Sequence, residues 1–538
     1  MFKRWDNLSV FLCCLLFPLF FLPSCRVPVS PGILMNTWYI CDELHLAVRF
    51  DASGGGQYIS THRALATPQP FRFRQSSRGA RFRFEGGAAL RGRITVVHDR
   101  FYLATGEGTL AFRQYVTRAF PRAPHRYRDE LFPEVTRTEV TYGRAPGFYA
   151  SKTVDNAGGL NYARVIIAVA ERVTSNLRRG ELPLQMDIYL PAGDQLSRRP
   201  LVVLLHGGAF IIGDKRDELM TLLSGDLARR GFVVASVNYR LGYVFLPGRY
   251  VNLERAMYSA IQDTRAALRY LSHHRERYRI DPDFVFLGGS SAGGITALKT
   301  AFMDDAEAWP SVRGSLLRLQ PDLGCLDCST NDLFGPFTLR GVINMWGAVD
   351  DPGIIKRQDR IPILSIHGDK DFVVPYGHDY PFANVSATAS AFFSKRLHGP
   401  ASILEHTREL GIEHTLYTFE GLGHEPQSDN DGVLIPENYE IIREQIQWFV
   451  NGQLFTPLEP LRGPVRVAPG DLTAEYWIGQ GDYREHLFAC DDCLILGQTP
   501  NTARVVWLAG RDDYQLRVAG IGAYGQVAID TLTVRAGY

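Results

Sequence analysis

Beyond about residue 147, short continuous apolar runs return at intervals, and this pattern narrows the possible folds more than any other feature of the chain. The runs are Leu201–Leu205, Phe232–Val237, Phe284–Leu287, Val342–Met345, Ile363–Ile366 and Leu416–Phe419. A strand with no polar face needs cover on both sides, as the strands of a parallel sheet have. Between the runs the spacing turns helical: Met257, Ile261, Leu268 and Leu271 share one helix face, and Ile442, Ile446 and Phe449 share another. Alternating strand and helix patterns predict a doubly wound α/β domain over residues 147–455.

The flanks have a different texture. At 538 residues the chain is too long for one ordinary domain, and 45% hydrophobic residues suffice for several cores. Residues 25–120 contain period-two stretches such as "FRFRQSSRGARFRFEGG", broken by glycine turns. They predict a small antiparallel β domain, sandwich or barrel. Residues 121–146, rich in Pro, Arg and Glu, read as a linker. Residues 456–538 alternate again, as in "NTARVVWLAGRDDYQLRVAG", and resemble the immunoglobulin-like or PKD-like β modules appended to exported bacterial enzymes. A net charge of +1 gives no ground for a nucleic-acid partner.

Residues 1–24 have the form of a signal segment: Lys3 and Arg4, the apolar run Leu8–Leu22, then Pro23-Ser24-Cys25. "LPSC" resembles a bacterial lipobox, which implies lipid attachment at Cys25. The expectation is an exported lipoprotein of the outer membrane, facing the periplasm or the cell surface and held to the membrane by its lipid. The remaining cysteines include two C-x-x-C pairs, Cys325/Cys328 and Cys490/Cys493. They lie in different expected domains, so local disulfides are expected in place of a shared zinc site, and no metal or cofactor is called for.

Chemistry concentrates at "FLGGSSAGG". Only Ser291 completes G-x-S-x-G, with Gly289 and Gly293. It follows an expected strand and precedes an expected helix, which is the setting of a sharp turn that exposes a serine hydroxyl. Such a hydroxyl needs a base. His424, in "FEGLGHE" after the last expected strand, is the candidate. Asp371, in "HGDKDFVVP", is the carboxylate that would fix its tautomer; Asp369 reads as a loop cap and His367 as structural. "HGGAF" after another strand offers the amides of Gly208 and Ala209, with Ala292 as a third donor, for a developing oxyanion. Ala209 is acceptable there if its φ stays negative. His206 reads as a brace for the loop.

His-Gly-Gly-x-Phe, Gly-x-Ser-x-Gly, "VASVNYRLG" and the Ser–Asp–His chain order together resemble the esterase/lipase branch of the α/β hydrolases over residues 182–450. Bacterial carboxylesterases and feruloyl- or acetyl-esterase-like enzymes are the nearest in pattern. The resemblance implies a serine carboxylesterase acting on a small or polymer-linked ester through an acyl-enzyme. Two other readings compete: a serine peptidase of the prolyl-oligopeptidase type, and an inactive exported binding protein. The first calls for a propeller repeat and the second for a lost triad residue; the sequence has neither. The segment Asp304–Leu339, inserted after the expected nucleophile helix, could cap the pocket.

Overall fold

The computed structural model describes residue 34 and residues 37–537, leaving out 53, 77–78, 86, 98, 118–119, 122–125, 148–180, 243–249, 315–319, 383–394, 430 and 480. The expected signal segment and Cys25 lie outside the described residues.

The central sheet has eight strands: β1 (Val135–Pro146), β2 (Glu181–Pro191), β3 (Arg199–Leu205), β4 (Val233–Val237), β5 (Ile280–Ser290), β6 (Leu339–Met345), β7 (Ile363–Gly368) and β8 (His414–Phe419). Their order is β1-β2-β4-β3-β5-β6-β7-β8, with β2 antiparallel to both β1 and β4 and all later pairs parallel. Every residue of β3 and β4 is buried, which is why these strands appear in the sequence as unbroken apolar runs.

Helices cover both faces. Leu201, Val203 and Leu205 share a core with α2 (Tyr250–His273), α3 (Ala292–Phe302) and α4 (Pro400–Leu410). Val202 and Leu204 share the other with α1 (Glu218–Arg229) and α5 (Pro436–Leu454). In register, Leu205 stands beside Gly289, and Ser290 beside Met345. The carboxyl ends of β3, β5 and β6 therefore meet at one edge, where doubly wound sheets place their ligands.

The expected linker over 121–146 and the domain start at 147 are corrected by this sheet. Residues 135–146 are its edge strand, paired along their length with β2. An edge strand buries only part of its surface, and here Arg137 and Glu139 face solvent, so its composition imitates a linker. Upstream, Tyr127 is fully buried, 4.7 Å from the Phe232 ring, and Arg126 pairs with Asp194.

Residues 38–114 form a closed eight-stranded antiparallel barrel. Phe50, Phe71, Phe82, Phe101 and Phe112 fill its interior together with the free thiol Cys41. The C-terminal region forms two four-stranded sheets. One of them is completed by Leu65–Ala66, from the N-terminal region, lying parallel to Thr502–Leu508. Trp38, Ile40 and Ile59 also pack with Leu494, Leu496 and Val506. On its other side Tyr524 donates to Asp281 Oδ2 at 2.9 Å and sets its ring against Phe284. The two flanking regions were expected as separate modules; they share a sheet and a core, and the C-terminal one also buttresses β5.

The described part of Asp304–Leu339 runs along α2. Arg255 donates to Ser311 and Pro321 carbonyls, Gln262 to those of Leu323 and Cys325, and Ser272 to that of Pro336. These ties hold its described part along α2. Cys325–Cys328 and Cys490–Cys493 are disulfides.

Candidate active site

Strand β5 ends at Ser290, α3 begins at Ala292, and Ser291 makes the whole turn between them with φ 53° and ψ −116°. That conformation costs on the order of 1–3 kcal/mol and persists only when its surroundings over-determine it. Here they do. The Ser291 N–H donates to the Met345 carbonyl at 2.8 Å, and its own carbonyl accepts from Ile295 at 3.0 Å. A side chain at Gly289 would fall on the Gly293 backbone, and one at Gly293 on the Leu205 carbonyl. Both glycines are therefore required by close approach.

The hydroxyl this turn presents lies 2.9 Å from His424 Nε2, and His424 Nδ1 lies 2.6 Å from Asp371 Oδ2. A carboxylate only accepts, so the proton is on Nδ1, and Nε2 is left free to accept from the Ser291 hydroxyl. Burial pulls the His424 pKa down, but the Asp371 charge and hydrogen bond, with Glu425 beside it, outweigh burial and raise it. Burial alone would raise the Asp371 carboxyl; His424 and His367 instead hold it well below the usual carboxylate range. Asp371 Oδ1 accepts from the amides of Val373 and Val374 at 2.8 and 2.9 Å. Asp369 instead ties the loop by accepting from Gly421 N–H at 2.6 Å.

Two contributors were not singled out for this site from the sequence. His367 Nε2 is 3.0 Å from Asp371 Oδ2 and 3.1 Å from the Val374 carbonyl, so it must carry a proton and donate. Its i,i+4 spacing to Asp371 at the end of a strand was the available signal. Trp346, fully buried with φ 41°, sets its ring edge-on 6.5 Å from His424. No sequence pattern marked it.

The loop after β3 brings Gly207 against the nucleophile: a Cβ there would lie 3.5 Å from Ser291 Cβ. Among the described residues, the N–H groups of Gly208 and Ala209 have no hydrogen-bond partner. Ala292 is the first residue of α3, and its N–H has no partner within the helix. The expectation that Ala209 keeps a negative φ is corrected, because its φ is 53° and that of Phe210 is 61°. The chain must double back here so that Ile211 and Ile212 can donate to the Gly208 carbonyl. His206 braces the loop, with Nδ1 2.7 Å from the Gly207 carbonyl and its ring stacked on Tyr239. Burial lowers its pKa to about 4, so it stays neutral at working pH. Burial, opposed by a hydrogen bond from the Asp214 amide and reinforced by the Asp214 and Glu425 charges, raises Asp217 to about 7.

A mixed sheet of this order, with a strained serine at the end of its fifth strand and a histidine after its last, defines the α/β-hydrolase class. Within that class the similarity is to esterases. Residues 186–350 match the family model BD-FAE. The chain is 26% identical over 211 residues to the esterase LipQ of Mycobacterium tuberculosis, covering 36% of this chain and 47% of that protein. It is 28% identical over 207 residues to the probable carboxylic ester hydrolase LipM of the same organism, covering 35% and 46%. The chain thus spans about half the length of these curated relatives. Among solved structures, a truncated carbohydrate esterase from gut microbiota aligns at 18% identity and TM-score 0.35 over 60% of this chain and 98% of that one. Thermogutta terrifontis esterase 2 in its tabun-treated form aligns at 18% and 0.33 over 50% and 90%. The central domain has the α/β-hydrolase architecture, and the proteins it is similar to in sequence are esterases.

Proposed function

We propose that the protein is a serine carboxylic-ester hydrolase working through an acyl-enzyme. Ser291 Oγ attacks the ester carbonyl while His424 Nε2 takes its proton; Asp371 holds the tautomer and stabilises the imidazolium. The amides of Gly208, Ala209 and Ala292 receive the oxyanion. His424 then protonates the departing alkoxide, and a water activated by the same nitrogen releases the acid and restores Ser291. The observation that carries this reading is the continuous relay of 2.9 and 2.6 Å from Ser291 through His424 to Asp371. The described residues before the sheet form a single closed barrel, which does not favour the peptidase reading. The test is a pre-steady-state burst of p-nitrophenol from a short-chain ester. Ser291→Ala should abolish both burst and turnover, and a folded Ser291→Ala protein near wild-type rate would sink the proposal.

Export with lipid attachment at Cys25 is part of the same proposal and rests on "LPSC" alone. It predicts that Cys25→Ser moves the protein out of the membrane fraction; an unchanged distribution would defeat it.

A further inference from the structure

One face of the N-terminal barrel carries a dense cluster of arginines. Between residues 69 and 97 the chain has seven arginines, no lysine and a single carboxylate, Glu85. Six of the arginines stand on three adjacent strands, Gln69–Ser76, Gly79–Phe84 and Ala89–Val97. The inward positions hold Phe71, Phe73, Phe82 and Phe84, so Arg72, Arg74, Arg81, Arg83, Arg91 and Arg93 all point outward, and all but the half-buried Arg81 are exposed.

Register makes this grouping costly. Arg72 faces Arg83, Arg74 faces Arg81, and Arg81 also faces Arg91. Neighbouring strands are only about 4.8 Å apart, and like charges directly opposite each other destabilise a sheet. Arg81 registers the crowding: partial burial, then Arg91, Arg83 and Arg74, push its pKa down. Among the described residues, none of the six pairs with a carboxylate. Elsewhere exposed arginines do, as in Arg511–Asp492 and Arg535–Asp513. A face selected only for solubility would interleave the two signs as those regions do.

We propose that this face docks the enzyme onto an anionic bilayer surface. Three observations select that partner among polyanions. The outer wall of a closed barrel is convex and offers no groove to hold a single polymer chain. Among the described side chains, no aromatic ring stands on the outward positions of the three strands for a sugar or base to stack on; Pro70, Ala89 and Thr95 stand there beside the arginines. Arginine forks match phosphodiester oxygens, and such a surface attracts each cation near it. The geometry also suits a chain tethered at Cys25, because the 13 residues from there to Trp38 reach at most about 45 Å.

The test is co-sedimentation of the full chain with neutral phosphatidylcholine vesicles and with vesicles containing phosphatidylglycerol. The ratio of the two removes any contribution of the apolar N-terminus. The expected result is at least about tenfold stronger binding to the anionic vesicles in 0.1 M salt, falling away in 0.5 M salt. Replacing all six arginines by glutamine should abolish the difference while hydrolysis of a soluble p-nitrophenyl ester stays unchanged, since none of the three strands joins the sheet that carries Ser291. A milder variant, R74Q/R81Q/R91Q, removes one row and should lose part of the difference. Equal binding to both vesicles, or an unaltered preference in a folded six-glutamine protein, would overturn the proposal. So would binding of soluble polygalacturonate, lost in the variant, without any vesicle preference.

Discussion

Replacing Asp371 by Asn tests the site most sharply, because the surroundings dictate what the amide must do. The Asp371 carboxylate accepts four hydrogen bonds, two on each oxygen: Val373 and Val374 amides on Oδ1, His424 and His367 on Oδ2. Asparagine has one oxygen to offer. If that oxygen faced the histidines, its NH₂ would confront two backbone N–H groups that cannot change tautomer, and each lost buried bond costs about 1–3 kcal/mol. The oxygen therefore keeps the backbone amides, and the NH₂ faces His424. To accept from it, His424 must move its proton to Nε2, where it meets the Ser291 hydroxyl as a donor and cannot act as a base. The same swap in chymotrypsin-type triads costs on the order of 10⁴-fold, about 5.5 kcal/mol of barrier. We expect kcat/KM on a short-chain p-nitrophenyl ester to fall by that order with the circular dichroism spectrum retained. A folded Asp371→Asn protein within tenfold of wild type, or a larger defect in Asp369→Asn, would refute the reasoning.

Four further outcomes are expected. Because only neutral His424 can accept the serine proton, and its pKa is raised, kcat/KM should fall on acidification with a midpoint above the ordinary histidine value of 6.5, read from a pH–rate profile. The depressed Asp371 pKa contributes stability that is present above the usual carboxylate range near pH 4 and lost as pH falls further, so urea midpoints should drop over that interval. Ala209→Gly relieves a left-handed φ and should raise unfolding free energy by about 1 kcal/mol in urea titration. Tyr524→Phe removes a hydrogen bond to the buried Asp281 carboxylate and should cost about 2 kcal/mol by the same titration.

Much of the site could be read before any folding was considered. Gly289, Ser291 and Gly293 announce their turn because a side chain at either flanking position collides with backbone, a constraint local enough to leave a mark in the sequence. The parallel strands are legible because burial on both faces forbids polar residues. His367 and Trp346 were not legible as parts of the site: one is an ordinary residue before a loop, and the other gains its place only when the end of β6 comes beside β8's loop.

The sequence by itself determined the alternation of strand and helix, the serine turn and the chain order of Ser291, Asp371 and His424, since these depend on periodicity and short-range sterics. Tertiary structure alone decided three other matters. Residues 135–146 became a strand because β2 had an unpaired edge, which no local propensity reports. Leu65–Ala66 joined a sheet more than 400 residues away, a pairing set by how two β regions pack and by nothing in either segment. Ala209 adopted a left-handed φ because the loop had to return two amides to the Gly208 carbonyl, and hydrogen bonds closed by the fold outweighed the preference of an L-residue.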